Sequence, residues 1–223
     1  MADSRLYVHV LLDRSGSMES CRDQTIDAFN EYVNGLKVQS SQTGAQTGAK
    51  AGTRLSLSTF DSESTDVVFD AIRINDVPKL TRDTFVPRAS TPLFDAVGKT
   101  VAHIDKVTLL PDERVNLAIL TDGQENASRE LTADAVKKLL IDRQERCNWL
   151  VQYLGANQNA WAAGATIGIA ACHAMDYDTS EVKHAMRSMS ASVGRYRSVP
   201  VEVARKAASF SAQERASAKR DED

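Results

Sequence analysis

The stretch LYVHVLLDRSGSME, residues 6–19, decides the fold of this chain. Residues 6–12 are apolar except for His9, and a short apolar run that ends in a polar turn is typical of a buried central strand. In open α/β sheets, ligands bind at the carboxyl ends of the strands. The polar residues that directly follow the run are therefore the first candidates for a functional site.

A D-x-S-x-S pattern stands at this position, with Asp13, Ser15 and Ser17 as its polar members and Gly16 between the serines. One carboxylate and two hydroxyls in a short loop offer oxygen ligands only, which suit a hard cation such as Mg²⁺ or Ca²⁺. Gly16 allows a tight turn because it has no Cβ. The pattern also fits a plain strand-to-helix turn in which Ser17 or Ser20 caps the next helix. The rest of the chain has to decide between the two interpretations.

Two further polar segments start or end predicted elements. Ser90-Thr91-Pro92-Leu93 opens a helix that is predicted to run to about Lys106, with Thr91 as a suitable N-cap and Pro92 in the first turn. A threonine at a helix start on the ligand edge can also direct its hydroxyl at a cation. Thr121-Asp122-Gly123 follows the predicted core strand Val115–Leu120, and a D-G pair is by itself typical of a turn.

The order of the predicted elements defines the fold class. A hairpin at residues 54–74 interrupts an otherwise regular alternation of strands and helices, so we predict a doubly wound, mostly parallel α/β sheet with one antiparallel edge hairpin and helices on both faces. A helix is predicted at residues 20–38 and a low-complexity, mobile surface connection at residues 40–53. We expect one domain at residues 1–198, followed at residues 199–223 by a polar C-terminal tail or an extra helix.

The three polar segments, in this order and beside these elements, resemble the metal-ion-dependent adhesion site (MIDAS) of von Willebrand factor A (vWA) domains. The resemblance covers about Ser4 to Arg197 and is closest to small cytoplasmic vWA proteins of bacteria and phages. It implies that the T-D-G segment is a third metal loop, which brings a second carboxylate to the edge of the first. The implied metal ligands are Asp13, Ser15, Ser17, Thr91 and Asp122.

Charge and coordination indicate how such a site would work. Asp13 and Asp122 would balance one divalent cation, and the hydroxyls would add neutral oxygens. Mg²⁺ prefers about six oxygens at ~2.0–2.1 Å and keeps several waters, so one or two of the side chains, Asp122 among them, are expected to act through water. Mg²⁺ is the expected ion, with Mn²⁺ and Ca²⁺ as alternatives. By the resemblance, an Asp or Glu of a partner protein takes the open position.

The resemblance therefore implies a metal-dependent protein–protein interaction module without catalysis, and an ATPase is among the candidate partners. Residues on the rim of the site are expected to select the partner. They are Arg14, Met18, Glu19, Leu93, Gln124 and Asn157.

Two alternatives belong to other classes. A Mg²⁺-dependent phosphohydrolase of the haloacid dehalogenase type also places an Asp after its first strand, but it needs D-x-D, and Ser15 stands where the second Asp would be. No G-x-x-x-x-G-K-[ST] pattern is present, so a P-loop NTPase is unsupported. The second alternative is a structural subunit in which the metal serves only to stabilise the fold, as a staple.

Composition narrows the remaining classes. The 223 residues carry a net charge of −3. This is not the excess of positive charge that is typical of proteins that bind nucleic acid or an anionic membrane surface. No apolar run approaches the ~20 residues of a membrane span, and the first residues do not resemble a secretory signal. Cys21, Cys147 and Cys172 lack C-x-x-C spacing, so neither a disulfide framework nor a zinc site is predicted. These observations favour a cytoplasmic protein.

Other titratable residues receive no functional role. The four histidines are scattered without ligand spacing. Asp61, Asp66 and Asp70, around the predicted hairpin, are expected to be solvated turn and edge charges.

Overall fold

A computed structural model describes residues 5–47, 52–107, 109–110, 112–156 and 159–219. Within these residues, six strands form one sheet in the order β3-β2-β1-β4-β5-β6. The strands are β1 (Arg5–Asp13), β2 (Thr53–Phe60), β3 (Thr65–Arg73), β4 (Glu113–Thr121), β5 (Leu150–Ala156) and β6 (Ala174–Tyr177).

Seven α-helices are present in the described part of the chain. They are α1 (Arg22–Thr47), α2 (Leu93–Ile104), α3 (Ala133–Arg146), α4 (Ala160–Thr166), α5 (Val182–Ser198), α6 (Val201–Ala207) and α7 (Ala212–Ser217). Short 3₁₀ helices precede several of them, and the one at Gly16–Cys21 leads directly into α1.

Strand β1 lies in the middle of the sheet and pairs in parallel with β2 and β4. Among the described strands, β2 and β3 form the one antiparallel pair, and β3 lies at the edge. Both faces of the sheet are covered by helices. The predicted fold class, a doubly wound α/β sheet with an antiparallel edge hairpin, is therefore confirmed.

The continuous apolar run of β1 follows from its burial on both faces. Leu6, Val8 and Val10 belong to the core that the sheet shares with α1 and α5. Tyr7 and Leu11, which alternate with them, belong to the core that the sheet shares with α2 and α3. A central parallel strand has no solvent face, so polar alternation is lost there.

The prediction of a mobile connection at residues 40–53 is wrong for its first half, because α1 continues to Thr47. The amide of Gln39 donates hydrogen bonds to the carbonyl oxygen of Ser190 (3.1 Å) and to its hydroxyl (3.0 Å), which fastens this part of α1 to α5. The Gln and Ala residues of the run also have adequate helix propensity. Residues 48–51 lie outside the described residues.

The chain beyond Pro200 forms α6 and α7, which pack against the domain. The backbone N–H of Phe210 donates to the carbonyl of Cys172 (2.9 Å), and that of Asp178 donates to the carbonyl of Ala218 (2.9 Å). Phe210 and Ala218 are both buried. The boundary at residue 198 stays a prediction.

Among the described residues, no helix combines the length and the apolar character that a membrane span requires. The three cysteines all lie within the described part of the chain and are free thiols.

We predict that Phe210→Ala lowers the free energy of unfolding by about 3 kcal/mol, because it removes a buried aromatic side chain and leaves a cavity. Chemical denaturation in urea measures the change. The control is Val203→Ala on α6, where the side chain is 47% exposed, and we expect a change within about 0.5 kcal/mol. Equal stability of the Phe210→Ala variant and the wild type would show that residues 199–223 are a dispensable tail.

Candidate metal site

The candidate site lies where β1 and β4 end beside each other. Leu12 pairs with Leu120 in the parallel register, so Asp13 and Thr121 come next to each other at the carboxyl edge of the sheet. The Thr121 hydroxyl donates a hydrogen bond to Asp13 Oδ2 (2.5 Å). The other oxygen of the same carboxylate, Oδ1, accepts the backbone N–H of Ser15 (2.7 Å).

The hydroxyls of the first loop continue this polar cluster toward the third segment. Ser15 Oγ and Ser17 Oγ lie 3.1 Å apart. The Ser17 hydroxyl donates to Asp122 Oδ1 (2.7 Å). Four of the five predicted ligands are therefore linked through direct contacts or through one shared neighbour.

The side chain of the fifth predicted ligand, Thr91, lies beside Gly123, where Asp13 and Ser17 also come close. A Cβ added to Gly123 would lie 2.8 Å from Thr91 Oγ1, 3.6 Å from Asp13 Oδ2 and 3.7 Å from Ser17 Oγ. Oxygens from the first loop and from the Thr91 loop thus surround one small space beside Gly123 of the third segment, and only a glycine leaves this space open. The structure brings together all five residues that the sequence singled out.

The loop that carries Thr91 is held by a segment that the sequence analysis did not consider. The backbone N–H of Thr91 donates to Asn126 Oδ1 (3.0 Å), and its carbonyl accepts the backbone N–H of Asn126 (3.1 Å). Thr91 does not cap a helix, which corrects that expectation. Helix α2 begins only at Leu93, and the backbone N–H of Phe94 donates to Glu125 Oε2 (3.0 Å) and Ser128 Oγ (3.0 Å).

Asp95 in the first turn of α2 fixes the same segment from the other side. Its carboxylate accepts the backbone N–H groups of Arg129 (2.8 Å), Glu130 (3.0 Å) and Leu131 (2.8 Å). In the sequence, Asp95 only resembles one of the acidic residues that are frequent in first helical turns. Its role in holding the loop after the T-D-G segment could not be read from that signal.

The first loop is fastened on its outer side to the hairpin. The Arg14 guanidinium donates to Asp61 Oδ2 (2.6 Å), to Ser64 Oγ (2.6 Å) and to Asp66 Oδ2 (2.6 Å). The expectation that Asp61 is a solvated charge is wrong, because its residue is only 2% exposed. The hydrogen bonds from Arg88, Ser64 and Arg14 outweigh its burial and hold the pKa of Asp61 below its ordinary value.

The rim that was expected to select a partner is smaller than predicted. Met18, Leu93 and Arg14 are buried, since the first two pack into the cores and the third pairs with the hairpin. Glu19 and Gln124 are exposed. The sixth predicted rim residue, Asn157, lies outside the described residues.

Two grooves border the site. A polar groove of about 610 Å³ lies between the hairpin turn and the loop at residues 126–130. A groove of about 320 Å³ with a more apolar lining lies beside Gln124 and includes Phe94, Tyr153 and Ala163.

Two carboxylates without a counter-charge dominate the electrostatics of the site. Asp13 is fully buried, and neither it nor Asp122 forms an ion pair within the described residues. Burial raises the pKa of Asp13 to about 6 against the hydrogen bonds from Thr121 and Ser15. Burial also raises the pKa of Asp122. The arrangement can accept a cation, because a cation would supply the charge that the chain does not.

The donor chemistry agrees with a hard ion. The described residues contain no group of three or more His, Cys, Asp or Glu side chains that could hold a metal, so the candidate site takes most of its oxygens from hydroxyls. Oxygen ligands without sulfur or imidazole favour Mg²⁺, Mn²⁺ or Ca²⁺ over softer metals.

Solved structures of other proteins share the fold. The vWF domain of the type V pili tip protein Mfa5 from Porphyromonas gingivalis matches with a TM-score of 0.64 and 10% identity, over 90% of this chain and 98% of that one. A mussel byssus protein, PTMP1, solved with a zinc-occupied MIDAS motif, matches with a TM-score of 0.60 and 16% identity, over 83% of this chain and 47% of that one. The open conformation of the pilus adhesin SpaC from Lactobacillus rhamnosus GG matches with a TM-score of 0.64 and 13% identity, over 87% of this chain and 30% of that one.

These likenesses establish the fold alone: the chain has the α/β fold of vWA domains. It spans about half the length of the mussel protein. No protein-family model matches the sequence, and no curated protein matches it.

We predict that Asp13→Asn stabilises the metal-free protein at neutral pH. A folded-state pKa of about 6, raised above the unfolded value of about 3.9, means that the Asp13 contribution to stability falls as pH rises from about 4 to about 6, by about 3 kcal/mol. The amide avoids this cost. Unfolding in chelator at pH 4 and at pH 7.5 should show that the variant's advantage is present only at the higher pH. An advantage of equal size at both pH values would contradict the argument.

We predict that Gly123→Ala weakens Mg²⁺ or Mn²⁺ binding at least tenfold although it removes no ligand atom, because the added methyl group occupies the space between Thr91, Asp13 and Ser17. Titration calorimetry measures the affinity. The matched control is Gly52→Ala, where an added Cβ meets nothing within 4 Å, and its affinity should equal that of the wild type. Unchanged affinity of the Gly123→Ala variant would place the ion elsewhere.

Proposed function

We propose that the protein is a divalent-metal-dependent protein–protein interaction module, in which a bound Mg²⁺ captures an acidic side chain of a partner protein. One observation carries the proposal. The fully buried carboxylate of Asp13 shares a hydroxyl-lined space with Asp122, and within the described residues no cationic side chain pairs with either. A buried charge is costly unless it is paired or binds a metal.

Asp13, Ser15, Ser17, Thr91 and Asp122 would hold the ion. When bound, it would supply positive charge and an open coordination position for a carboxylate oxygen of the partner. Mg²⁺ is favoured over Ca²⁺, because the space at Gly123 is small and its oxygens come mostly from short side chains.

The chain's own contribution is to keep these oxygens together. Asp13 is oriented by Thr121 and by the Ser15 backbone. The backbone of Thr91 is held by two hydrogen bonds with Asn126, one to its side-chain oxygen and one from its backbone N–H. Ligand atoms fixed in advance lose little conformational entropy on binding.

The partner surface surrounds the open side of the site. We assign partner selection to the exposed side chains of Glu19 and Gln124 and to the two grooves that border the site. Glu19 is negative, and its exposed carboxylate, 3.6 Å from the Arg22 guanidinium, is only partly offset, so it disfavours partners with several acidic residues side by side. An acidic residue flanked by neutral or basic residues is therefore the preferred class of ligand.

We assign no catalytic step to the site. The D-x-S-x-S loop has no second carboxylate in the position where a phosphohydrolase of the haloacid dehalogenase type needs its acid/base group. The solved neighbours include a pilus adhesin and a pilus tip protein, which supports a binding role. We further propose that the chain acts in the cytoplasm of a bacterium or phage host, where an ATPase is a candidate partner.

The test is capture of partners from lysate by immobilised wild-type protein and by Asp13→Asn, each with Mg²⁺ and with chelator. We expect a partner only with the wild type and Mg²⁺. Replacing the Asp or Glu residues in the binding segment of the captured protein, one at a time, should identify one whose loss abolishes capture.

Asp83→Asn is the matched control, because it removes an exposed carboxylate that is not one of the five candidate ligands and should capture as the wild type does. Partners retained in all four conditions would overturn the proposal. A large fall in melting temperature in chelator, without metal-dependent capture, would favour the structural subunit in which the metal only stabilises the fold.

A further inference from the structure

Tyr177 ends β6 and places a polar group in the core beneath the candidate site. The residue is 1% exposed. Its hydroxyl oxygen has no hydrogen-bond partner within the described part of the structure. A buried hydroxyl without a partner loses its contacts with water and gains nothing in return, so its retention calls for an explanation.

The position of Tyr177 relates its hydroxyl to the two carboxylates. Tyr177 belongs to the core on the α1 side of the sheet, as do Met18 and Cys21 of the 3₁₀ helix that follows the first loop. Thr121 pairs with Gly155 and Gly155 with Asp176 in the parallel register. In the next row, Ala156 pairs with Tyr177, so only this small residue stands between Tyr177 and Asp122 along the edge of the sheet. Burial raises the pKa of Tyr177 well above its ordinary value, and Cys21, Asp122, Asp13 and Tyr153 raise it further.

The thiol of Cys21 does not form a hydrogen bond with the Tyr177 hydroxyl. Cys21 Sγ lies 3.6 Å from the Met18 carbonyl and 3.7 Å from the hydroxyl of Thr25, with contacts of hydrogen-bond type to both. Burial raises the pKa of Cys21 as well, so this thiol stays neutral. Besides Cys21, the groups that act electrostatically on the Tyr177 phenol are Asp122 and Asp13 of the candidate site and Tyr153.

A second tyrosine shows what a hydroxyl of purely structural origin looks like in this protein. Tyr32 on α1 is also 1% exposed and also lacks a hydrogen-bond partner among the described residues. Burial alone raises its pKa, without a contribution from either carboxylate of the site. The two tyrosines therefore share burial and an unpaired hydroxyl, and they differ in position. Tyr177 lies in the row of Asp122 at the carboxyl edge of the sheet, whereas Tyr32 lies about 15 Å along α1 from its first residue.

We infer that Tyr177 is a positioning residue of the metal site, whose hydroxyl donates a hydrogen bond to Asp122 or to a water that Asp122 holds when a cation is present. This inference rests on the proposed function. The phenol is neutral at physiological pH and so remains a donor. A donor on the core side of Asp122 leaves the carboxylate's other lone pairs for the cation and for Ser17, and fixes its orientation.

The test compares Tyr177→Phe with Tyr32→Phe. We expect Tyr177→Phe to bind Mg²⁺ and Mn²⁺ at least tenfold more weakly than the wild type in titration calorimetry. In chelator its melting temperature should equal or exceed that of the wild type, because the variant removes an unpaired buried hydroxyl. Tyr32→Phe should behave in the same way in chelator but bind both ions as the wild type does.

Each other outcome counts against the inference. Equal affinities of Tyr177→Phe and the wild type would overturn it and leave the proposed function standing. A lower melting temperature of Tyr177→Phe in chelator would show that the hydroxyl has a structural partner in the metal-free protein, which also overturns it. Failure of the wild type itself to bind either ion would overturn the proposed function, and this inference with it.

Discussion

The buried carboxylate of Asp13 is the constraint on which the carboxyl edge of the sheet depends. Its oxygens accept the Thr121 hydroxyl and the Ser15 backbone N–H, so one side chain joins the end of β4 to the loop after β1. These bonds hold the carboxylate in place without neutralising it, since both donors are neutral. A buried carboxylate without a counter-charge lowers the stability of the fold. Such unfavourable features persist where the surrounding structure enforces them, and they are concentrated at functional sites.

The scaffold keeps the nearest positive charge away from Asp13. Successive side chains at the end of a strand point to opposite faces, and Arg14, the next residue, turns to the hairpin and to Asp61. The guanidinium therefore fixes the outside of the loop while the carboxylate inside stays without a counter-ion. Arg14 pairs with the buried carboxylate of Asp61 instead, so Asp13 keeps a buried charge that the adjacent guanidinium does not offset.

The sequence predicted the sheet, the edge hairpin and the meeting of three loops, because strand ends in a parallel sheet converge and their polar residues are visible as motifs. It did not predict contacts made by backbone groups at long range. The Asp95 carboxylate holds residues 129–131 and the Asn126 side chain holds Thr91, each by accepting backbone N–H groups. The backbone half of such a contact leaves no pattern in side-chain types. Burial of Met18 within a polar segment was missed for a related reason: the 3₁₀ helix at Gly16–Cys21 turns one apolar side chain inward, and no period reveals so short an element.

The same long-range contacts bear on how an ion would affect stability. Any ligand that binds only the folded chain raises the melting temperature by mass action, so a rise by itself does not separate a binding module from a metal staple. What separates them is whether the oxygens keep their places without the ion. Gly16 is bonded to the Ala89 carbonyl and Thr91 to Asn126 through backbone atoms, and the cores on both faces of the sheet are complete without the site. The loops are therefore organised by the fold, and under the proposed function a bound cation would be free to serve a partner.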